Sequence, residues 1–291
     1  MPLTFARRLR PKNDFIFQRL FGETETKESL IALLNAILRL EGPNRIADAT
    51  VIENKQLAKE LIDDKTGRLD VRAETADRVQ IDIEVQLADQ RNMEKRTLFY
   101  LSKMFVESIK AGENYDNLKK TITINILDFN LLQLERYHST FHFYEDHEDS
   151  FMLTDAMEIH FIEYPKFQKV EKNVHDPLHR WLLFLDEKLP EDQLEELIRM
   201  DPVIKKTEER LEWLSGDEET RRLYEAREHS RIERNSIISD AMEKGMEKGM
   251  EKGKIEIAIN MLRKKMGIHQ IAELTGLKVA ELERIKKEAG M

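Results

Sequence analysis

The sequence predicts an α/β protein, a mixed sheet flanked by helices and followed by a helical C-terminal region. Three observations predict it. Residues 68–73 and 81–86 alternate polar and apolar with the period of two of half-buried strands. A helix-patterned stretch at 92–111 leads back to the strand pattern Thr121-Ile122-Thr123-Ile124-Asn125-Ile126-Leu127, the crossover that turns a hairpin into a covered mixed sheet. Beyond Pro190 the sequence is heavily charged and reads as several helices up to Arg234, with Trp213 and Leu214 on the buried face.

The first element is a helix over residues 27–40. It carries Leu30, Leu33, Leu34, Ile37 and Leu38 at helical spacing and stops before Gly42-Pro43. The hairpin follows. Leu69, Val71 and Ala73 alternate with Arg68, Asp70 and Arg72; Ile81, Ile83 and Val85 alternate with Asp82, Glu84 and Gln86. The polar stretch Glu74-Thr75-Ala76-Asp77-Arg78 between them has turn character, and a turn centred on Asp77 sets Asp70 opposite Glu84. A one-residue slip of register would undo that pairing. In the 92–111 helix, Leu98, Leu101, Phe105 and Ile109 are available to cover the sheet, and residues 139–144 and 157–164 add further strands.

Two ionised carboxylates roughly 5 Å apart repel by about 3 kcal/mol at an effective dielectric near 20. Protonation, a basic partner or a cation must relieve that repulsion. Two readings meet the pattern. One is a hard-oxygen site in which Asp70, Glu84 and the Val85 main-chain carbonyl hold Mg²⁺. The other is an exposed sheet face on which the two acids pair with Arg68, Arg72 or Arg78.

At these residues the chain resembles the PD-(D/E)xK nucleases, and more narrowly the recombination-promoting nuclease (Rpn) or transposase-like family. The resemblance is carried by Lys12-Asn13-Asp14-Phe15-Ile16-Phe17 with Leu20-Phe21-Gly22, Leu69-Asp70-Val71, Ile83-Glu84-Val85-Gln86, residues 96–103 (RTLFYLSK) and Gly112-Glu113-Asn114-Tyr115. It extends from about Lys12 to Phe129, with compatible sequence to about Phe167. It implies a restriction-endonuclease-like core that hydrolyses DNA phosphodiester bonds with Mg²⁺, by direct attack of water on phosphorus and without a covalent enzyme intermediate. Asp70 and Glu84 then become the metal-binding acids. Gln86 stands where the wider superfamily often has lysine, but it fits the narrower family's ExQ form; a neutral amide orients groups and cannot be the general base. Asp14 either shapes the cleft or caps the helix that starts at Phe15. Arg96 and Lys103 either reach substrate phosphates or form a solvated helical face.

The 291 residues allow a substantial core and more than one domain. With 41% hydrophobic and 35% charged residues, and no run long and apolar enough to cross a membrane or act as a secretory signal, the expectation is a globular cytoplasmic protein without a membrane partner. The absence of cysteine excludes disulfides and cysteine-ligated zinc or iron–sulfur sites. A formal charge of −9 counts against a broadly basic DNA-binding surface and leaves the work to a local patch or a bound metal. His175 and His179 have helical metal-ligand spacing, but Pro177 lies between them and no third ligand is adjacent.

The expected organisation is a nuclease core over 1–167, a helical accessory region over 168–241, a repeat linker over 242–253 and a helix-turn-helix-like module over 254–291. In the linker Met-Glu-Lys-Gly occurs three times in succession, so equivalent methionines drift about 40° per repeat around a helix. Three glycines cost such a helix roughly 1 kcal/mol each, and a hinge-like helix that gains order by self-association, giving a homo-oligomer, accounts for it. Residues 255–265, 268–275 and 279–288 suggest three short helices. Lys278, Arg284, Lys286 and Lys287 could contact DNA phosphates, although Glu281, Glu283 and Glu288 oppose this; a dimerisation or packing role for the module stays open.

The leading expectation is therefore a Mg²⁺-dependent DNA endonuclease acting in recombination or mobile-element-associated DNA processing. The alternatives are a non-catalytic DNA-binding regulator and a protein-interaction scaffold.

Overall fold

The computed structural model describes residues 8–52, 71–89, 91–148 and 150–288. It divides into two compact units, Met1–Arg222 and Leu223–Met291.

In the first unit six strands form one mixed sheet: β1 (Ala49–Val51), β2 (Val71–Thr75), β3 (Gln80–Gln86), β4 (Thr121–Leu127), β5 (His138–Tyr144) and β6 (Met152–Glu163). Their spatial order is β1-β2-β3-β4-β6-β5. The pairs β1–β2, β2–β3 and β5–β6 are antiparallel, and β3–β4 and β4–β6 are parallel. The β2–β3 hairpin has the register expected of a turn at Asp77, with Arg72 opposite Asp82 and Val71 opposite Ile83. Arg78, at φ 64°, takes the left-handed position the tight turn requires, and Val79 N–H donates to the Thr75 hydroxyl. β6 begins earlier than the strand pattern suggested, because its exposed N-terminal half is held by pairing with β5 rather than by burial.

One face of the sheet presents Val71, Ala73, Ile81, Ile83, Val85, Ile122, Ile124 and Ile126, all buried. On this side lie α1 (Asp14–Phe21) and α2 (Lys27–Ile37), which contribute Ile16, Phe17, Leu20, Leu30, Leu33 and Leu34. The cap of α1 is Asn13, whose side chain accepts from the Phe15 and Ile16 N–H groups; Asp14 follows it as an exposed first-turn residue. Gly22 ends α1 where a Cβ would come within 2.8 Å of the Gln18 carbonyl oxygen and 3.3 Å of Val71. That close approach explains the glycine of Leu20-Phe21-Gly22.

The helices beyond the sheet complete this layer. They are α4 (Tyr164–Phe167), α5 (Pro177–Phe184), α6 (Glu191–Met200) and α7 (Pro202–Gly216). α5 and α7 both pack on α2, so residues 168–216 belong to the same compact unit as the sheet. Trp181 is fully buried and meets Phe21 edge-on at 5.7 Å. Leu214 is buried, but Trp213, expected beside it, is exposed under the Arg210 guanidinium; adjacent residues on a helix point about 100° apart, and only one can face the core.

The opposite face of the sheet is covered by α3 (Met93–Glu107). Its buried residues are Met93, Thr97, Tyr100, Leu101 and Met104, while Leu98 is exposed. The apolar stripe through Leu98 lost to one through Thr97 because the underlying strand face is polar. The Thr97 hydroxyl donates to Asn125 Oδ1 at 3.1 Å, and Asn125 donates in turn to the His160 carbonyl.

The second unit contains most of α8 (Glu218–Arg263), then α9 (Ile268–Thr275) and α10 (Val279–Glu288). The Met-Glu-Lys-Gly repeats lie within α8, with Met242, Met246 and Met250 exposed and nothing near a Cβ built on Gly245, Gly249 or Gly253. The first of the three expected short helices is thus the end of one long helix. Ala258, Leu262, Ile271, Leu277, Leu282 and Ile285 form a small core. Gly276, at φ 71°, makes the turn between α9 and α10. Among the described residues no helix is long and apolar enough to cross a membrane.

Candidate active site

Strand β3 sends Gln80, Asp82, Glu84 and Gln86 to the α3 side of the sheet, alternating with the apolar residues of the other face. Because α3 lies over them, two of these acids are buried rather than solvated: Asp82 is 1% exposed and Glu84 3%. Across β4 the polar strip continues with Thr123 beside Asp82 and Asn125 beside Glu84.

Glu84 is the exceptional group. Both carboxylate oxygens are buried, and neither accepts a hydrogen bond from any described residue. Its charge partner is Arg96, in the first turns of α3, with Nη2 3.6 Å from Oε2, beyond hydrogen-bonding range. Burial raises the Glu84 pKa above the ordinary carboxylate value, and the Arg96 charge opposes that rise. Asp82 is pushed well above the usual range by burial first and by the Glu84 charge second, against Arg72 and the Thr123 hydroxyl. Asp82 and Glu84 are thus neighbouring buried acids, both less ready to ionise than solvated carboxyls, and Asp82 the more so because the Glu84 charge adds to the effect of burial.

The residues singled out from the sequence fall as follows. Asp70 lies outside the described residues. Gln86 is the half-buried last residue of β3, and its carbonyl accepts from the Asp128 N–H at 2.9 Å. Val85 points its side chain to the apolar face and pairs with Ile126. Arg96 is turned inward against Glu84, its guanidinium 5.6 Å from the Tyr100 ring centroid. Lys103 is 3.7 Å from Glu107 on the same helix. Asp14 is exposed at the start of α1. In the second unit Lys278, Arg284, Lys286 and Lys287 are all exposed. His179 holds loop and core together, accepting from Asn173 N–H at Nδ1 with Nε2 3.0 Å from the Tyr137 hydroxyl. His175 donates its backbone N–H to Asn173 in the same loop.

Sequence reasoning passed over Asp82 and Lys12. Asp82 had a signal, its shared parity with Glu84 and Gln86 along β3. Lys12 stood in the sequence only as the first residue of the Lys12-Asn13-Asp14 block, and the fold gives it its contacts: it pairs with Asp128 at 2.8 Å and lies over the Tyr164 ring at 3.7 Å. Asp128 is bonded to the end of β3, so Lys12 ties the start of the chain to the strand end that carries Gln86.

A family model described as PD-(D/E)XK nuclease family transposase matches residues 11–241. The chain belongs to this family. The PD-(D/E)XK match spans the sheet, the packed helices α5–α7 and the first part of α8, and the mixed sheet with its flanking helices is the restriction-endonuclease-like fold of such nucleases. No curated protein and no solved structure matches the chain.

PD-(D/E)XK nucleases typically use divalent metal ions. Among the described residues no group of three or more histidine, cysteine, aspartate or glutamate side chains is placed to hold one. The chemistry of Glu84 nevertheless fits. It is a hard-oxygen donor whose two acceptor atoms take no hydrogen bond from a described residue, with a second carboxyl, Asp82, two residues away on the same strand face.

Proposed function

We propose that this chain hydrolyses phosphodiester bonds in DNA with the help of Mg²⁺. Asp70, Glu84 and the Val85 carbonyl would hold the cation. The observation that carries the reading is the Glu84 carboxylate, sealed beneath α3 with neither oxygen accepting a hydrogen bond from a described residue. The hairpin register expected from the sequence, with its turn at Asp77, is the one observed from Val71 opposite Ile83 to Glu74 opposite Gln80.

The cation, when bound, supplies activation of water and neutralisation of charge on the phosphate. Gln86, half-buried at the end of β3, orients water or a phosphate oxygen through its amide, which donates and accepts but takes up no proton. Lys103 on α3 and, in the second unit, Lys278, Arg284, Lys286 and Lys287 supply cations for backbone phosphates, giving a salt-dependent affinity. The exposed methionine stripe of α8 supports self-association of the C-terminal region. The transposase designation of the family supports a role in recombination or mobile-element-associated DNA processing.

Plasmid cleavage by the purified full chain tests the reading. Nicking or linearisation is expected with Mg²⁺, none with Ca²⁺, and none from Asp70→Ala or Glu84→Ala at unchanged melting behaviour. Cleavage that survives in Glu84→Ala, or a complete lack of cleavage in the wild-type protein with Mg²⁺ and Mn²⁺, overturns it.

A further inference from the structure

The two edges of the sheet are built differently. At one edge β1 is three residues long, and shortness is one of the ways a strand avoids pairing with a neighbour. The other edge is β5, seven residues long, and among the described residues no strand pairs with its outer side. At both its ends the odd-numbered residues turn their backbone toward β6: the Tyr137 carbonyl accepts from the Glu163 N–H at 2.7 Å, and the Glu145 N–H donates to the Phe151 carbonyl at 3.0 Å. The alternation of an antiparallel pair then turns the N–H and C=O groups of His138, Thr140, His142 and Tyr144 outward. Register with β6 shifts between Phe141 and Phe143, but the extra residues lie on β6, so β5 runs on unbroken.

β5 also lacks the residues that guard an edge. Its sequence, residues 138–144 (HSTFHFY), has no lysine, no acid and no proline. Phe141 and Phe143 share one face of the strand and are 40% and 47% exposed; Tyr144, on the other face, is 50% exposed. We infer that β5 is the surface on which a second copy of this chain docks, edge to edge and antiparallel, so that two six-stranded sheets become one. The inference is independent of the cation site.

A second copy fits because the strand is complementary to itself. A two-fold axis at Phe141, the middle residue of β5, sets Thr140 opposite His142 of the other copy and Ser139 opposite Phe143. Thr140 and His142, both with their backbone turned outward, then form the hydrogen-bonded pairs. Phe141 faces its own equivalent, an aromatic cross-strand pair. No like charges meet within the strand, and two residues beyond its ends the same axis brings the exposed Arg136 toward the exposed Asp146 of the other copy. A nucleic-acid backbone fits badly, because β5 offers no lysine or arginine and is followed by Glu145, Asp146 and Glu148.

The test uses the full chain, in sedimentation and in oxidative cross-linking of single-cysteine variants; the chain has no cysteine of its own, so the background is blank. Phe141→Cys should form a disulfide-linked dimer on a non-reducing gel, because a residue opposite its own equivalent in a non-hydrogen-bonded pair has its Cα about 4.5 Å from the other, within reach of a disulfide. Phe143→Cys should not, since its equivalent lies roughly 13 Å along the facing strand. Phe143→Lys, which sets a charge on the edge, should raise the dissociation constant of the dimer on the order of tenfold. Met246→Glu, in the methionine stripe of α8, should leave the Phe141→Cys cross-link in place. A monomeric wild type overturns the inference, whether or not β5 then takes up DNA or a strand of another protein. So does a dimer that Met246→Glu abolishes and Phe143→Lys leaves unchanged, or cross-linking no stronger at Phe141→Cys than at Phe143→Cys. If Phe141→Cys fails to fold, the effect of Phe143→Lys on the dissociation constant decides.

Discussion

Asp82 and Glu84 leave strand β3 on the same face, two residues apart, and both end beneath α3 with almost no solvent. Arg96 stands 3.6 Å from Glu84, whereas one Asp82 oxygen, Oδ1, has no hydrogen-bond partner among the described residues and the other accepts from the Thr123 hydroxyl at 3.5 Å. Their roles separate accordingly. Glu84 has a positive charge close by, and Asp82 is pushed further toward its neutral form, by burial first and then because a second negative charge at that depth is repelled by the first.

Asp82→Asn should therefore stabilise the protein at neutral and alkaline pH. The folded Asp82 pKa lies above the unfolded value, so its contribution is fully present below about pH 4 and is lost as pH rises through the folded pKa. An amide of the same shape removes that loss, and a gain of about 1–2 kcal/mol is expected. For a unit of this size that corresponds to a rise in melting temperature of roughly 2–8 °C at pH 8, shrinking toward pH 4. A drop of equal size at both pH values would show that the carboxyl itself is needed for packing.

His138 governs the acid side. Its Nε2 lies 2.9 Å from His160 Nδ1, one ring donating and the other accepting, and His160 Nε2 lies 2.7 Å from Glu158. Burial, then His160, then the Arg39 charge lower the His138 pKa to about 4. A depressed histidine contributes stability above its unfolded pKa of 6.5, and that stability is lost as pH falls from 6.5 toward 4, by up to about 3 kcal/mol. His138→Gln should flatten the fall in urea midpoint across that window. The Glu158 contribution, with its pKa lowered to about 2 by hydrogen bonds from His160 and Lys120 against the cost of burial, is lost only below pH 4.5 and should remain. An unchanged slope in the variant would mean that other groups carry the acid transition.

Gly22→Ala should destabilise the first unit by about 1–3 kcal/mol, because the new methyl would stand 2.8 Å from a backbone oxygen that cannot move without unwinding the last turn of α1. Chemical denaturation of the single variant measures this. The change touches α1 and β2 at Val71, so it should lower stability without altering the electrostatics at Glu84. A wild-type midpoint would mean that α1 has slack at its C-terminus.

The alternating residues of the β2–β3 hairpin, the turn at Asp77 and the crossover through α3 were legible in the sequence because each is a local pattern with a short-range cause: side-chain period, turn composition and capping. Asn13 rather than Asp14 caps α1 because the choice depends on a one-residue shift in where the helix begins, which composition alone does not settle. The burying stripe of α3 was misread for a longer-range reason. Leu98 belongs to a plausible apolar face, but the strand face below presents Asp82, Glu84 and Asn125, and a helix carrying Thr97 and Arg96 inward sets a hydroxyl against Asn125 and a positive charge near Glu84, which an apolar stripe would not.

The sequence by itself determined which residue types lie on each face of β3, because parity along a strand is set by the covalent chain. Tertiary structure alone decided what those residues experience. The same Glu84 would be an ordinary solvated acid on an open sheet. Placed under α3 with Arg96 as its only close charge partner among the described residues, it has an altered proton affinity and two acceptor oxygens without hydrogen bonds, because burial and neighbouring charge are properties of the packed fold.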